Sequence, residues 1–329
     1  YRFTERFKLG AGVRHAQNDQ QFSQDVTAGI LLPLGESPNH SSEEVFTWSV
    51  SPQFQLSEDT MVYAKVATGY QPGGPNVVGF GLPPQVDSSM LTSYEAGMKG
   101  LFADNRLQVD LAAFHIDWED IQVPTVVNGL NGLVNAGVAT SDGVELAAVY
   151  QPTSNLQLGF NASYNDASLS EDYPTIVIPA GPVVQEITMG MAGDVMPYVP
   201  RYTWSATAEY FFDAGGDWVG NVGAALRAVD GRVNGTRSRT VVRTSGSPSV
   251  VLLDETELPL QLDAYQSLDL FAGVSNEHWS IRAFLKNLTD ERGYSRMSTV
   301  SSELTGAVDA IVATPIRPRT VGIQIDYTF

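Results

Sequence analysis

Apolar and polar residues alternate along this chain in stretches of about ten, each closed by turn-forming residues, and this period restricts the fold more tightly than anything else in the sequence. Side chains of a β-strand point alternately to its two faces, so each stretch presents one greasy and one wet surface. In the last stretch Val321, Ile323, Ile325, Tyr327 and Phe329 share a face opposite Thr320, Gly322, Gln324, Asp326 and Thr328. Across 201–212, Tyr202, Trp204, Ala206, Ala208, Tyr210 and Phe212 oppose Arg201, Thr203, Ser205, Thr207 and Glu209. In 155–166, Leu156, Leu158, Phe160, Ala162 and Tyr164 oppose Gln157, Gly159, Asn161, Ser163 and Asn165. Although 43% of the residues are apolar, no uninterrupted apolar run approaches the roughly 18 to 20 residues of a membrane-spanning helix, so a helical membrane protein is excluded.

A soluble sandwich also alternates, and loop lengths separate the two possibilities. Short connections at 57–59, 103–105, 152–154, 213–216 and 276–277 lie between long ones at 16–44, 71–90, 119–139, 167–200, 231–264 and 291–317. A sandwich has no reason to segregate lengths so regularly, whereas outer-membrane barrels have short periplasmic turns and long extracellular loops. The pattern therefore predicts an all-β, transmembrane antiparallel β-barrel wall of about twelve strands, with residues 25–32 as a hairpin arm inside the first long loop. Phe54, Phe102, Phe212, Trp218, Trp279 and Phe329 stand beside the short turns, and Tyr70, Tyr94, Tyr164, Tyr202 and Tyr265 toward the long loops, as the two interfaces of a bilayer select. One stretch is irregular. Leu107, Val109, Leu111 and Ala113 set an outward phase that runs on into His115 and Asp117, with Phe114, Ile116 and Trp118 on the other face. Either a bulge resets the register there or the strand has left the lipid by His115.

Away from the lipid the wall is expected to carry Arg6, Lys8, Arg14, Glu95, Lys99, Glu145, Arg201, Glu209, Arg227, Arg282 and Lys286, charges of both signs that suit a wet or plugged lumen. Lys plus Arg number 19 and Asp plus Glu 37, a net of −18, which offers nothing to nucleic acid. There is no Cys, so thiolate nucleophiles, disulfides and Cys-based metal sites are all excluded. His15, His40, His115 and His278 have no metal-ligand spacing, and no Ser/His/Asp arrangement or G-x-S-x-G elbow is present. An enzyme is not expected, nor any cofactor. Arg232, Arg237, Arg239 and Arg243 form the one basic cluster, followed by Asp254, Glu255 and Glu257. Such arginines either grip an anionic ligand or lipopolysaccharide phosphate, or pair with the acidic run beside them. Tyr173, Tyr198, Tyr294 and Arg296 are further loop residues able to stack on or bond to a ligand, and Tyr70 stands at the rim. With Arg237, Arg239 and Arg243 these five make up the candidate ligand-binding set.

Several motifs then resemble one family. Gly69-Tyr70-Gln71-Pro72-Gly73-Gly74-Pro75-Asn76 resembles the G-(F/Y)-(K/R)-x-G-G-x-N signature of TonB-dependent outer-membrane receptors, with Gln71 at the usually basic position. Ser93-Tyr94-Glu95-Ala96-Gly97-Met98-Lys99 is similar to the family's Y-E-x-G-x-K strand, and Asn135-Ala136-Gly137 with Gly143-Val144-Glu145-Leu146 to its N-A-G…G-V-E-L strand. Lys286-Asn287-Leu288-Thr289-Asp290-Glu291 resembles its N-L-x-D element, and Pro318-Arg319-Thr320-Val321-Gly322 through Phe329 its closing strand. The order and spacing match the last dozen or so strands of a barrel of about 22. The resemblance implies that residues 1–329 are the C-terminal part of a barrel in the Gram-negative outer membrane, with the plug, its TonB box and about ten strands upstream; Tyr1 in place of Met and the lack of a signal peptide agree with that expectation. It also implies uptake of a ferric siderophore, or of a similar large ligand such as cobalamin or a glycan, and coupling to TonB-ExbB-ExbD. Outer-membrane lipid and lipopolysaccharide would surround the wall, and the barrel-assembly machinery would recognise Phe329. Asn76 and Asn287 are expected to be loop hydrogen-bonders. A passive porin or structural barrel without TonB coupling is the alternative function.

Overall fold

The computed structural model describes residues 1–27, 35–76, 83–127, 130–301 and 308–329. Twelve strands form one antiparallel sheet in strict sequence order: β1 (Phe7–Val26), β2 (Gly35–Gln55), β3 (Thr60–Gln71), β4 (Ser89–Phe102), β5 (Leu107–Glu119), β6 (Val138–Thr153), β7 (Leu156–Leu169), β8 (Tyr202–Gly215), β9 (Trp218–Val229), β10 (Tyr265–Ser275), β11 (Trp279–Lys286) and β12 (Thr320–Tyr327). This is the meander that alternating short and long connections require. Two of the short turns use left-handed backbone, with φ of 54°, 57° and 63° at Ala103, Asp104 and Asn105, and 96° and 67° at Gly215 and Gly216.

Register carries the two faces across the sheet. Phe160 pairs with Ala148 on one side and Ala206 on the other, Ala162 with Leu146 and Trp204, and Tyr164 with Val144 and Tyr202, so apolar side chains form continuous outward rows. Val321, Ile323 and Ile325 are 74%, 70% and 60% exposed. Apolar surface on that scale marks a face made for another apolar medium. One row nearer the long loops the outward side chains turn polar. His115 Nδ1 lies 2.8 Å from Asp142 and Nε2 3.1 Å from Asp117. Arg201, expected on the inner face, instead reaches Asp166 of this outward row at 3.4 Å, because it precedes β8 and is not held to the strand's alternation. The ladder of β5 runs without a register shift against both β4 and β6. No bulge is present, and the outward face has passed out of the apolar band by His115.

The first long loop differs in detail from the sequence expectation. Residues 16–26 and 35–45 continue the β1–β2 ladder from Ala16↔Val45 to Val26↔Gly35, giving strands of 20 and 21 residues where a membrane crossing needs about 9 to 11. Asp25 and Val26 end β1 rather than belonging to a separate arm, and the remainder of that expected arm, 28–32, lies outside the described residues. Gln17, Asn18, Asp19, Gln20 and Gln21 are polar on both faces, so a water-exposed ladder there has no alternation to betray it. The other long connections carry short β-pairs of their own: 74–75 with 85–86, 122–127 with 130–135, 232–233 with 261–262, and 294–301 with 308–315. Strands from two different loops, 176–180 and 183–188 before β8, and 238–244 and 251–257 after β9, join into one four-stranded sheet.

Packing is densest beneath these loops, not in the wall. Ile121, Ala136, Ala139, Leu169 and Tyr173 form a buried cluster, flanked by Trp118, Val123, Val134, Met189 and Met196. The inward phase of β5 supplies Trp118, whose indole N–H donates to the buried Ser89 hydroxyl at 3.2 Å.

Candidate functional site

At the long-loop rim, the glycine-rich run after β3 is a hydrogen-bond hub. The Gly73 N–H donates to both carboxylate oxygens of Glu43, at 3.1 and 3.2 Å, and its carbonyl accepts from Gln20 Nε2 at 2.8 Å. The Asn76 side chain donates to the Leu133 carbonyl at 2.6 Å and accepts from the Leu133 N–H at 3.2 Å, while Asn39 donates to the Asn76 and Pro84 carbonyls. Gln122 Nε2 reaches the carbonyls of Pro72 (2.9 Å) and Asp87 (3.0 Å), and Asn135 those of Asp87 (2.8 Å) and Asp120 (3.0 Å). The projecting β1–β2 hairpin and the second and third loops are thereby tied into one body. Gln71 meets Gln122 at 3.2 Å, a neutral pair where the family signature is usually basic.

The fourth, fifth and sixth loops are tied by charge. Arg237 pairs with the buried Asp194 through Nε, and its N–H donates to the same carboxylate at 3.0 Å. Arg239 grips Asp254 through Nε and a terminal nitrogen at 2.8 and 2.7 Å, and Arg243 meets Glu186 at 2.5 Å. Arg239 holds the Asp254 carboxyl below its ordinary range. Arg232, only 8% exposed, donates to the carbonyls of Tyr294 (2.9 Å) and Ser295 (3.3 Å) and stands 5.8 Å from the Tyr265 ring centre. Tyr198, at a φ of 62°, donates its hydroxyl to the Met297 carbonyl at 2.6 Å, and its N–H to Val233 at 2.8 Å.

Of the residues singled out from sequence, Tyr198 and Tyr294 thus converge, together with Arg232 and Tyr265, where three loops meet. Arg237, Arg239 and Arg243 sit along the fourth- and fifth-loop junction, Arg239 paired with the acidic run beside it and the other two with the fourth loop. Arg296 is exposed on the sixth-loop hairpin, and Tyr70 lies one residue before the end of β3, opposite Met90. The Tyr173 ring is buried in the apolar cluster, against Gly137 and Gly190, and burial with Asp194 nearby pushes its phenol above the ordinary range. The partners Glu43, Gln20, Asp194 and Glu186 were missed; each lies 30 to 57 residues from the group it holds, and no local motif marks it.

Asn287 of the N-L-x-D element is 2% exposed and anchors the sixth loop. Its amide donates to the carbonyls of Glu291 (3.0 Å) and Arg317 (2.9 Å), and its oxygen accepts from the Glu291 N–H at 2.9 Å. Asn287→Ala leaves these buried groups unpaired, an expected loss on the order of 1 to 3 kcal/mol confined to the loop base. Amide exchange at 288–293 should accelerate while β11 stays protected; unchanged exchange would reject the anchor. Asp290 beside it accepts from the Arg319 N–H at 3.0 Å, and this bond and the nearby Arg292 lower its pKa. Its contribution is present above the ordinary carboxylate pKa of about 3.9 and lost as pH falls through the lower folded value.

The inner face of the sheet borders an open concave space of about 650 Å³ lined by Tyr63, Glu95, Lys99, Glu145, Ser205 and Arg227, among others. Tyr63 donates to Glu95 at 2.5 Å, Lys99 lies 3.3 Å from Asp110, and the Arg282 guanidinium stands 4.4 Å from the Phe271 ring centre. This wall is polar and charged, opposite to its outer face. Among the described residues no group of three or more His, Cys, Asp or Glu side chains could hold a metal ion.

A twelve-stranded antiparallel meander, apolar outside and charged inside, with short turns at one end and knitted loops at the other, is the architecture of an outer-membrane barrel wall. The family described as TonB dependent receptor-like, beta-barrel matches residues 1–288, and the chain belongs to it. The pesticin receptor of Yersinia pestis is 25% identical over 338 aligned positions, covering 100% of this chain and 42% of the receptor. The metal-pseudopaline receptor CntO of Pseudomonas aeruginosa is 25% identical over 300, covering 89% of this chain and 36% of its own length. The crystal structure of the ferric yersiniabactin uptake receptor FyuA from Yersinia pestis superposes with a TM-score of 0.73 at 23% identity, covering 99% of this chain and 44% of that one. The chain thus spans less than half the length of these relatives.

Proposed function

We propose that this chain is part of the barrel of an outer-membrane receptor that imports a ferric siderophore or a similarly large, scarce ligand, energised through TonB-ExbB-ExbD. The observation that carries this reading is the rim: loops knitted into rigid bodies, bearing Tyr198, Arg232, Tyr265, Tyr294 and Arg296, stand over a charged concave wall. A passive pore needs an open lumen and gains nothing from a braced vestibule with tyrosines and arginines. Family membership supports the same reading, as do relatives named for pesticin, metal-pseudopaline and ferric yersiniabactin. Residues 1–329 are proposed as the C-terminal part of a barrel of about 22 strands, with the plug and TonB box in a preceding segment of the full-length protein. Tyr70, Arg237, Arg239 and Arg243 are proposed to shape the vestibule, with Tyr173 fixing its floor.

The test is uptake of iron-55 by an iron-starved strain lacking its own receptors, complemented with the full-length gene and supplied with ferric catecholate, hydroxamate and phenolate complexes. Energy-dependent accumulation that disappears when tonB is deleted is expected. Accumulation that persists without TonB and scales linearly with external concentration would establish the passive pore instead.

A further inference from the structure

Arg232 is a buried cation without a counter-ion among the described residues. It is 8% exposed, one terminal guanidinium nitrogen makes two bonds to neutral carbonyls, and the other is enclosed with no hydrogen-bond partner. Arg237, Arg239 and Arg243 of the same loop, in contrast, each hold a carboxylate. A charge taken out of water is stable only when paired, and here two peptide carbonyls and the edge of an aromatic field stand in for an anion. Those carbonyls, of Tyr294 and Ser295, belong to the sixth loop. Gly293 beside them lies against Tyr265, where an added Cβ would come 2.5 Å from the ring. Tyr198 joins from the fourth loop through Met297 and Val233. The arrangement is a planar cation on a tyrosine, closed by a loop that supplies, among the described residues, only the neutral Tyr294 and Ser295 carbonyls.

We propose that Arg232 is the seat of a planar anionic group, a carboxylate or phenolate, of the incoming ligand, and that seating it displaces the Tyr294 and Ser295 carbonyls and releases the sixth loop from the fifth. This rests on the uptake reading and deepens it, naming the ligand class as anionic with a flat oxygen-bearing group. A carboxylate matches the guanidinium fork far better than two peptide carbonyls do, and its ring can lie along Tyr265. The exchange converts an uncompensated charge into a paired one, so the ligand itself supplies the free energy that opens the loop contact.

The experiment uses the full-length receptor in detergent with benzoate as probe and benzamide as its neutral isostere, independently of any import assay. Benzoate is expected to raise the melting temperature of the wild type by several degrees through linkage, and benzamide is not. It should also speed amide exchange at 294–297. Arg232→Met, which keeps the packing and removes the charge, should melt no lower than the wild type and lose the benzoate response; Arg232→Lys, which keeps charge without the fork, should retain a reduced one. Equal shifts from benzoate and benzamide, or an unchanged benzoate response in Arg232→Met, would overturn the proposal. A lower melting temperature in Arg232→Met, with no benzoate response in the wild type, would overturn it too, assigning the counter-ion to a carboxylate elsewhere in the full-length protein. Because the readout is stability and exchange, a receptor that imports none of the iron complexes still reports whether Arg232 seats an anion.

Discussion

Gly73→Ala is expected to unfasten the second loop from the β1–β2 hairpin and the third loop while leaving the barrel wall assembled. A Cβ on Gly73 would stand 2.2 Å from the Val86 carbonyl oxygen, 2.8 Å from the Asp87 carbonyl carbon and 2.9 Å from the Ser88 nitrogen. All three are backbone atoms and cannot swing aside. Relief requires the loop to shift, and a shift breaks the bonds from Gly73 N–H to Glu43 and from Gln20 to the Gly73 carbonyl. The first of these is charge-assisted, worth about 1.5 to 3 kcal/mol, and the second about 0.5 to 1.5. In the full-length receptor the variant should be cut by added protease within 83–88 and 120–127, where the wild type is expected to resist. Ligand-dependent uptake should fall at least tenfold, and heat-modifiable migration on a gel should be unchanged. Wild-type protease resistance would refute the hub.

Adjacent residues on β8 provide the second large effect. Ala206 lies in the outward row between Phe160 and Leu226, and Ser205 in the inward row between Asn161 and Arg227. Arginine at Ala206 must hold a charge in the hydrocarbon, at a cost of roughly 2 to 4 kcal/mol at mid-depth, whereas arginine at Ser205 points into the wet interior. Unfolding of the full-length protein from lipid vesicles by denaturant should separate the two variants by that margin. Equal stability would invert or abolish the assignment of faces.

The wall was legible in the sequence because its two solvents are so different. Where Leu156, Leu158 and Phe160 meet lipid and Gln157 and Asn161 meet water, period two is written in every residue, and strand ends followed within a residue or two from the turns. The signal vanished wherever both faces met water. The outer half of the β1–β2 hairpin has a regular ladder from Ala16 to Val26 but no apolar side, and so read as loop. The same blindness hid the β-pairs inside the long loops, where strand pairs with strand through backbone groups that carry no residue-specific mark. At the rim, composition located the arginines of the fifth loop but not their partners, since Glu186 and Asp194 approach only after distant loops have folded together. Asn287 was legible as a loop hydrogen-bonder because its bonds to Glu291 are local to its motif, whereas the Asn76 motif marked a bonding residue without revealing its partner Leu133, 57 residues away.

The sheet shared by the fourth and fifth loops bears on how a receptor of this kind changes its specificity over generations. Strand 183–188 pairs on one edge with 176–180 of its own loop but on the other with 238–244 of the fifth, and Arg243 of the fifth loop holds Glu186 of the fourth. A fourth loop exchanged alone, by recombination or by design, would arrive with a bare strand edge and leave a cation behind. Such an edge invites pairing with foreign chains. Successful grafts should therefore move residues 170–201 and 230–264 as one module, with β8 and β9 between them left in place, and single-loop chimeras should express poorly even where their wall strands are untouched.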